Sequence, residues 1–137
     1  MIKGIIKGDI LSSQHKHIAF AINAEGYNDA GFAGLISAKF WPELANTGPQ
    51  ELGTVLIHKT PSKTFYGLVC HSLKSQGWKD TPKLAKQCLD SIDIPEKETL
   101  AVVKIGAGLI GQMSGANPEA ILREIENSKH DVEVFYL

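Results

Sequence analysis

The chain is 137 residues long, with 43% hydrophobic and 21% charged residues and a formal net charge of −1. This length suits one domain with its own core, and the composition excludes a disordered chain. A net charge near zero gives no general attraction to nucleic acid or to anionic membranes, so we expect neither as a partner. Apolar runs such as residues 18–22 are far shorter than the roughly 20 residues that span a bilayer. We therefore expect a single, monomeric, cytoplasmic domain over residues 1–137, without a signal peptide.

Six segments have the apolar or alternating pattern of β-strands. Several of them are continuously apolar, which is typical of strands covered by other elements on both faces of a sheet. No internal repeat or Gly/Ser-rich linker divides them into separate groups. The predicted strands are residues 2–7, 17–23, 54–59, 64–71, 99–105 and 132–136.

Three helical patterns lie between these strands. The first covers residues 31–40, is rich in Ala, Leu and Ile, and stops before Pro42. The other two begin at Thr81-Pro82 and Asn117-Pro118, where a capping residue precedes a proline at the first helical position. Strands that alternate with helices predict a three-layer α/β/α fold around a mixed sheet of about six strands. In such sheets, ligands bind where the carboxyl ends of strands meet helix starts.

Residues 21–34 form the first segment with that character. An apolar strand ends at Asn23, a short polar turn follows, and small residues lead into a helix. Small side chains let a ligand approach the backbone, and the amide groups at a helix start favour an anion. The same residues also suit an ordinary strand–turn–helix junction with Asp29 as the helix cap. Both interpretations stay open on this segment alone.

A glycine-rich segment, residues 103–111, is the second candidate. It matches G-x-G-x-x-G directly after an apolar strand, a pattern that in nicotinamide-dependent oxidoreductases opens a dinucleotide-binding unit. Here only one helix and one strand follow it, and the next helix start is Asn117-Pro118, so that we expect Gly111 in a loop. We therefore interpret the segment as a pocket wall that a phosphate or sugar can approach. An oxidoreductase would depend on this motif alone.

Four short motifs in a fixed order make the chain similar to macro domains. Lys7-Gly8-Asp9-Ile10 resembles the GDI signature of that family, and Ile22-Asn23-Ala24, Ala30-Gly31-Phe32-Ala33 and Ile105-Gly106-Ala107-Gly108-Leu109 resemble its later segments. The resemblance covers essentially the whole chain and is closest to the terminal ADP-ribose protein glycohydrolase-like branch. It implies a macro-domain fold that binds ADP-ribose, or an ADP-ribosylated molecule, without a cofactor.

The resemblance also assigns residues to the parts of ADP-ribose. Asp9 and Ile10 would hold the adenine, whose amino group donates to the Asp9 carboxylate; alternatively, Asp9 only forms a turn. Asn23 would contact the distal ribose. The other expected contacts are a helix start, the glycine-rich segment and a terminal aromatic, namely Gly31, Phe32, Ala33, Gly106, Ala107, Gly108, Leu109, Ile110 and Phe135. A bulky side chain at Gly106 is expected to block this pocket.

The catalytic residues of that branch are not matched. The branch uses a lysine at the end of the central strand and an aspartate after the glycine loop, where this chain has His71 and Ile110. Neither side chain can do that chemistry, so we do not expect that mechanism. Asp29, Asn28 or His71 are the candidates to position water at the distal ribose. Two functions stay open: hydrolysis of an ADP-ribose ester or ADP-ribose-1″-phosphate, and a non-catalytic reader or sequestering module for ADP-ribose-derived metabolites or signals.

The remaining cysteines and histidines are expected to be structural. Cys70 and Cys88 lie in apolar segments and are predicted to be reduced thiols in the core. Histidine pairs such as His15 and His17 have no carboxylate or thiolate near them in the sequence pattern, and we therefore expect no metal site.

Overall fold

The computed structural model describes residues 1–137, apart from the side chain of Leu109. The strands are β1 Ile2–Lys7, β2 His17–Asn23, β3 Val55–Lys59, β4 Thr64–His71, β5 Leu100–Val103 and β6 Val132–Tyr136. They form one sheet in the order β1-β6-β5-β2-β4-β3. Neighbouring strands are parallel, except that β3 runs antiparallel to β4 at one edge. The predicted strands are confirmed to within one or two residues at each end.

Four helices and two short 3-10 turns connect the strands. The helices are α1 Gly31–Lys39, α2 Thr81–Ser91, α3 Leu109–Met113 and α4 Pro118–Glu126, and the 3-10 turns are Ile10–Ser12 and Pro42–Ala45. The longest helix, α2, has 11 residues. Among the described residues, no helix has both the length and the apolar character that crossing a bilayer requires.

The short helix α3 corrects one prediction, because Gly111 lies inside this helix and not in a loop. The missing side chain of Gly111 is what allows the tight turn: a Cβ there would lie 2.8 Å from the carbonyl oxygen of Gly106. The glycine-rich segment therefore does lead directly into a helical turn, as in a dinucleotide-binding unit. The strand order and the position of the segment near the end of the chain still distinguish this fold from that unit.

Helices α2 and α4 cover one face of the sheet. Ala85, Cys88 and Leu89 of α2 and Ile121 and Ile125 of α4 are buried in one apolar cluster with side chains of the sheet. Their spacing of three and four residues places them on one side of each helix. The apolar stripes that the sequence predicts on these two helices are therefore the surfaces that pack on the sheet.

Helix α1 covers the opposite face, together with the 3-10 turn Pro42–Ala45. Ile36 of α1 and Leu44 of the turn are fully buried in a second cluster, which includes Phe20 of β2 and Phe65 of β4. Because both faces are covered, the side chains of β2 and β4 are buried almost throughout. The predicted three-layer α/β/α fold with a mixed six-stranded sheet is confirmed.

Of the two proline-containing helix starts, the cap residue was predicted correctly for α4 but not for α2. At the start of α4, the Asn117 side chain accepts a hydrogen bond from the Ala120 N–H at 3.1 Å, as expected of a cap. At the start of α2, the cap position belongs to Asp80 and not to Thr81. The Thr81 hydroxyl instead donates to the Cys70 carbonyl at 2.7 Å and fastens the helix to the end of β4.

Candidate functional site

A cleft of about 640 Å³ lies at the carboxyl ends of β1, β6 and β5. Parallel strands end at the same edge of a sheet, so segments far apart in the sequence meet there. The lining residues follow these strands or belong to α1: Gly8, Asp9, Ile10, Phe32, Leu35, Val103, Lys104, Ala107, Gly108, Phe135, Tyr136 and Leu137. The predicted ligand contacts found among them are Asp9, Ile10, Phe32, Ala107, Gly108 and Phe135.

The other predicted contacts lie outside the lining described for this cleft. Gly31 and Ala33 belong to the first turn of α1, Asn23 ends β2, and Gly106 is a buried residue of the glycine-rich segment. Ile110 is 51% exposed on α3. The backbone of Leu109 begins α3, but the predicted contact through its side chain lies outside the described residues.

Half of the lining residues were not predicted individually as contacts, although a signal for most of them was present. Five of the missed residues end or directly follow parallel strands, and one belongs to α1; they are Gly8, Val103, Lys104, Tyr136 and Leu137, and Leu35 of α1. Tyr136 closes β6, and Lys104 directly follows β5, so both reach the same sheet edge as Asp9. Ligands bind at the carboxyl ends of parallel strands, and applying this rule to every such strand would have predicted Lys104 and Tyr136.

The start of α1 presents backbone donors that make no hydrogen bond among the described residues. The residue before the helix, Ala30, has no capping side chain, and Asp29 is not the cap that the simple junction requires. The first amide bonded within the turn is that of Gly34, which donates to the Ala30 carbonyl at 3.0 Å. Within the part of the chain that the structure describes, the amides of residues 31–33 therefore have no hydrogen-bond acceptor, and the helix dipole makes this end positive. An anion would satisfy these donors.

Gly106 and Gly108 play different parts in the glycine-rich segment. Gly106 has a φ of +81°, and a Cβ there would lie 3.0 Å from Ala116 Cβ and 3.2 Å from Ile121 Cδ1. Gly108 lines the cleft with a φ of −73°, and a Cβ there would meet nothing within 4 Å. The expectation that a bulky residue at Gly106 blocks the pocket is therefore wrong. Such a side chain would run into α4, whereas one at Gly108 would enter the cleft.

Asp9, the predicted adenine contact, also orders its own turn. One carboxylate oxygen accepts the Leu11 N–H at 2.9 Å, and the other accepts the Ser12 hydroxyl at 3.1 Å. Asp9 thereby caps the 3-10 turn Ile10–Ser12, which is the alternative role considered from the sequence. Each oxygen keeps a further lone pair, because a carboxylate offers about four acceptor positions. The exposed side chain at the cleft is therefore still able to accept from a ligand.

Asn23, the predicted distal-ribose contact, holds the loop after β2 in shape. Its Oδ1 accepts the N–H groups of Gly26 and Tyr27 at 2.9 and 3.1 Å, and its Nδ2 donates to the Tyr27 carbonyl at 2.7 Å. The Asn23 N–H donates to Asn28 Oδ1 at 3.1 Å. Most of the hydrogen-bonding capacity of Asn23 is thus used inside the loop, and one amide N–H is left for a ligand.

His71 ends β4 in a buried position beside the end of β2. Its ring stacks on Trp78, with 3.9 Å between the ring centroids and an interplanar angle of 12°. Burial lowers the pKa of His71 from 6.5 to about 4, against the opposing effects of the Glu25 charge and the Ser72 backbone. The imidazole is therefore neutral at pH 7. Its Nδ1 has no hydrogen-bond partner among the described residues.

Of the three residues predicted to position water, Asn28 and Asp29 lie on the loop after β2, and His71 is the last residue of β4. Asn28 Nδ2, like His71 Nδ1, is buried without a described partner, whereas Asp29 is exposed. None of the three is part of the described lining of the cleft. From β1 to β4 the sheet order crosses four strand spacings, or about 19 Å at roughly 4.8 Å each. A ligand that reaches both ends must therefore be extended.

Acidification should weaken the fold through His71. Between pH 6.5 and about 4, His71 takes up a proton in the unfolded chain but not in the folded one, so the free energy of unfolding falls as the pH falls. We expect a loss of about 3 kcal/mol at pH 4 relative to a His71→Phe variant, which cannot titrate at this position. Urea unfolding of both proteins from pH 7 to pH 4 measures the difference. Parallel pH profiles would contradict the assigned burial of His71.

His15 and His17 have carboxylate partners, contrary to the expectation from the sequence. His15 Nε2 lies 2.6 Å from Glu133 Oε1. His17 Nε2 lies 2.5 Å from Glu98 Oε2, and its Nδ1 lies 2.9 Å from the Tyr66 hydroxyl. The carboxylates come from distant parts of the chain, which only the fold brings together. Within the described residues, no three metal-ligating side chains form a group.

The two cysteines are buried and form no disulfide. Burial raises the pKa of both thiols, that of Cys88 to about 12. The Cys88 thiol donates weakly to the Thr54 carbonyl at 3.5 Å. The prediction of core thiols is confirmed, and Cys70 is excluded as a thiolate nucleophile at neutral pH.

A second cleft, of about 540 Å³, lies at the amino ends of β5 and β6. Charged side chains dominate its lining, which consists of Asp93, Ile94, Glu96, Glu98, Lys129, His130 and Asp131. No predicted contact residue lies in it, and ligands of open α/β sheets bind at the opposite edge. The cleft at the carboxyl ends is therefore the candidate site.

Comparison with known proteins identifies the fold. No protein-family model and no curated protein matches the sequence. The structure is similar to the macrodomain of Mycobacterium tuberculosis DarG, with 14% identity and a TM-score of 0.69 over 100% of this chain and 98% of that chain. It is also similar to a Streptomyces coelicolor macrodomain protein, with 16% identity and a TM-score of 0.70 over 100% of this chain and 99% of that chain. A third similar structure is the Oceanobacillus iheyensis macrodomain with MES bound, with 21% identity and a TM-score of 0.67 over 96% of this chain and 81% of that chain. The chain therefore has the macrodomain fold that its sequence motifs imply.

Proposed function

We propose that the chain binds an ADP-ribose group in the cleft at the carboxyl ends of β1, β6 and β5. One observation carries this proposal: a single cleft joins a carboxylate acceptor, Asp9, to the glycine-rich segment and to α1. The acceptor suits the amino group of adenine. The free amides at the start of α1 suit a diphosphate. The macrodomain fold and the order of the sequence motifs support the same assignment.

The β1 side of the cleft is the proposed adenine subsite. Ile10 and Phe135 line it and are 3% and 7% exposed, so each has a fixed position in the core and a surface that a flat base can cover. Phe135 is held further by the edge of the His15 ring, at 5.7 Å between centroids. Asp9 lies at the margin of this apolar surface, where its carboxylate gives the base an orientation.

The phosphates and the distal ribose would continue from there toward α1. Phe32 places the first turn of α1 at the cleft, and Ala107 and Gly108 form the facing wall. The distal ribose would then point toward the ends of β2 and β4, where the buried Nδ2 of Asn28 lacks a described partner. An extended ligand thereby uses both halves of the sheet edge.

We favour a binding module over a hydrolase for this site. The neutral imidazole of His71, with a pKa of about 4, has little affinity for a proton at pH 7. Ile110 carries no acid–base group. Hydrolysis is the second candidate because the carboxylate of Asp29 is exposed on the loop before α1, where it could orient a water molecule.

Calorimetry with ADP-ribose, NAD and AMP tests the binding proposal. We expect saturable binding of ADP-ribose, with AMP weaker because it lacks the distal phosphate and ribose. No binding of ADP-ribose at millimolar concentration would overturn the proposal. Incubation with ADP-ribosylated protein and with ADP-ribose-1″-phosphate then separates the two candidates. Binding without product release selects the reader, and product release that is lost in Asp29→Asn selects the hydrolase.

The Asp9→Asn variant tests the adenine contact. Asparagine keeps an oxygen for the Leu11 N–H, so the 3-10 turn should persist, but it loses the negative charge and presents an amide donor. We expect ADP-ribose to bind about tenfold more weakly, while ribose-5-phosphate binding is unchanged. Equal losses for both ligands in titrations would contradict an adenine role for Asp9.

A further inference from the structure

Lys104 is a charged residue in the cleft to which the predicted contacts give no role. It directly follows β5, is half-buried and lines the cleft. Its N–H donates to the Phe135 carbonyl at 2.8 Å, which fixes the start of the side chain beside the end of β6. The ammonium group therefore begins from a rigid part of the cleft wall.

The Lys104 ammonium has no ion-pair or hydrogen-bond partner among the described residues. Its Nζ lies 5.6 Å from the centroid of the Tyr136 ring, which also lines the cleft. A ring face at this distance attracts a cation and holds it in place, but leaves its charge uncompensated. The only other charged side chain of the described lining is Asp9, which is engaged with Leu11 and Ser12.

An uncompensated ammonium beside apolar side chains favours an anionic ligand. Val103, Leu35 and Phe135 contribute apolar lining to the same cleft, and water is a poorer screen there than at an open surface. Charge-assisted hydrogen bonds from an ammonium to a phosphate are about twice as strong as neutral ones. A phosphate at Lys104 would also leave the ring contact with Tyr136 intact.

We propose that Lys104 binds a phosphate of the nucleotide that occupies the cleft, an inference that rests on the proposed function. This phosphate belongs either to the diphosphate or to the adenosine ribose. Lys104 thereby adds a charged side-chain contact to the backbone amides at the start of α1. The cleft would then distinguish phosphorylated nucleotides from adenosine by charge, and this preference would weaken as the salt concentration rises.

The test compares Lys104→Met with Lys104→Arg and a matched control, Lys3→Met. Lys3 is an exposed lysine near the amino end of β1, so the control makes the same change in charge away from the cleft. The ligands are ADP-ribose, 2′-phospho-ADP-ribose and adenosine, with affinities from NMR titrations. Melting temperatures confirm that all variants are folded.

We expect Lys104→Met to weaken a phosphate-bearing ligand by about tenfold, with adenosine unchanged and Lys104→Arg close to wild type. A loss for ADP-ribose assigns Lys104 to the diphosphate. A loss for 2′-phospho-ADP-ribose alone assigns it to the adenosine ribose. Unchanged affinities, or an equal loss for adenosine, would overturn the inference while leaving ADP-ribose binding itself intact. Failure of the wild-type chain to bind ADP-ribose would instead overturn the proposed function.

Discussion

Replacement of Gly108 by tryptophan should abolish ADP-ribose binding without harming the fold. Gly108 lines the cleft, its φ of −73° is open to any residue, and a Cβ there meets nothing within 4 Å. The indole would therefore occupy space that the ligand needs. A nucleotide buries most of its surface in such a cleft, so we expect a loss of affinity on the order of a hundredfold or more. Calorimetry measures the affinity, and thermal unfolding should give a melting temperature close to wild type.

Ser114→Trp is the matched control for this variant. Ser114 is exposed at the end of α3, outside the described lining of the cleft, so it adds the same indole to the same part of the chain without filling the site. Normal binding by the control and lost binding by Gly108→Trp would locate the ligand in the cleft. Normal binding by both variants would mean that ADP-ribose binds elsewhere.

The fold could be predicted because local sequence patterns and tertiary packing agree. The continuous apolar run of β2 and β4 predicts burial on both faces, and this is how the two strands lie, between α1 and the α2–α4 layer. The proline-containing starts of α2 and α4 fixed those helices almost to the residue. Sheet order does not follow from such local patterns, because β1 pairs with β6 at the far end of the chain.

The site was predicted in part, because the sequence shows which segments meet but not how each backbone turns. The glycine-rich segment was assigned to the cleft, yet nothing in its pattern says that Gly106 faces α4 and Gly108 faces the cleft. The difference lies in φ, which is +81° at the first and −73° at the second. A motif written as letters treats the two glycines as equivalent.

Long-range polar contacts were the least predictable feature. His15 pairs with Glu133, 118 positions later in the sequence, and His17 pairs with Glu98. Each partner is an ordinary charged residue in its own segment, so no local signal marks it. The contact of Lys104 with Tyr136 could not be predicted for a similar reason: it exists only because β5 and β6 are neighbours in the sheet.

Gly106→Val should destabilise the chain, in contrast to the same change two residues later. The φ of +81° at Gly106 is costly for any side chain and most costly for a β-branched one. The new Cβ would also press on Ala116 and Ile121, at 3.0 and 3.2 Å. We expect a loss of about 2–4 kcal/mol in the free energy of unfolding.

Gly108→Val is the control for this last change, and it should stay within about 0.5 kcal/mol of wild type because its position is open and its φ ordinary. Urea unfolding of the two variants measures the difference directly. If both variants were equally stable, the left-handed backbone at Gly106 would not be a constraint. The segment would then be free to rearrange, and the geometry on which the cleft depends would not be fixed by this glycine.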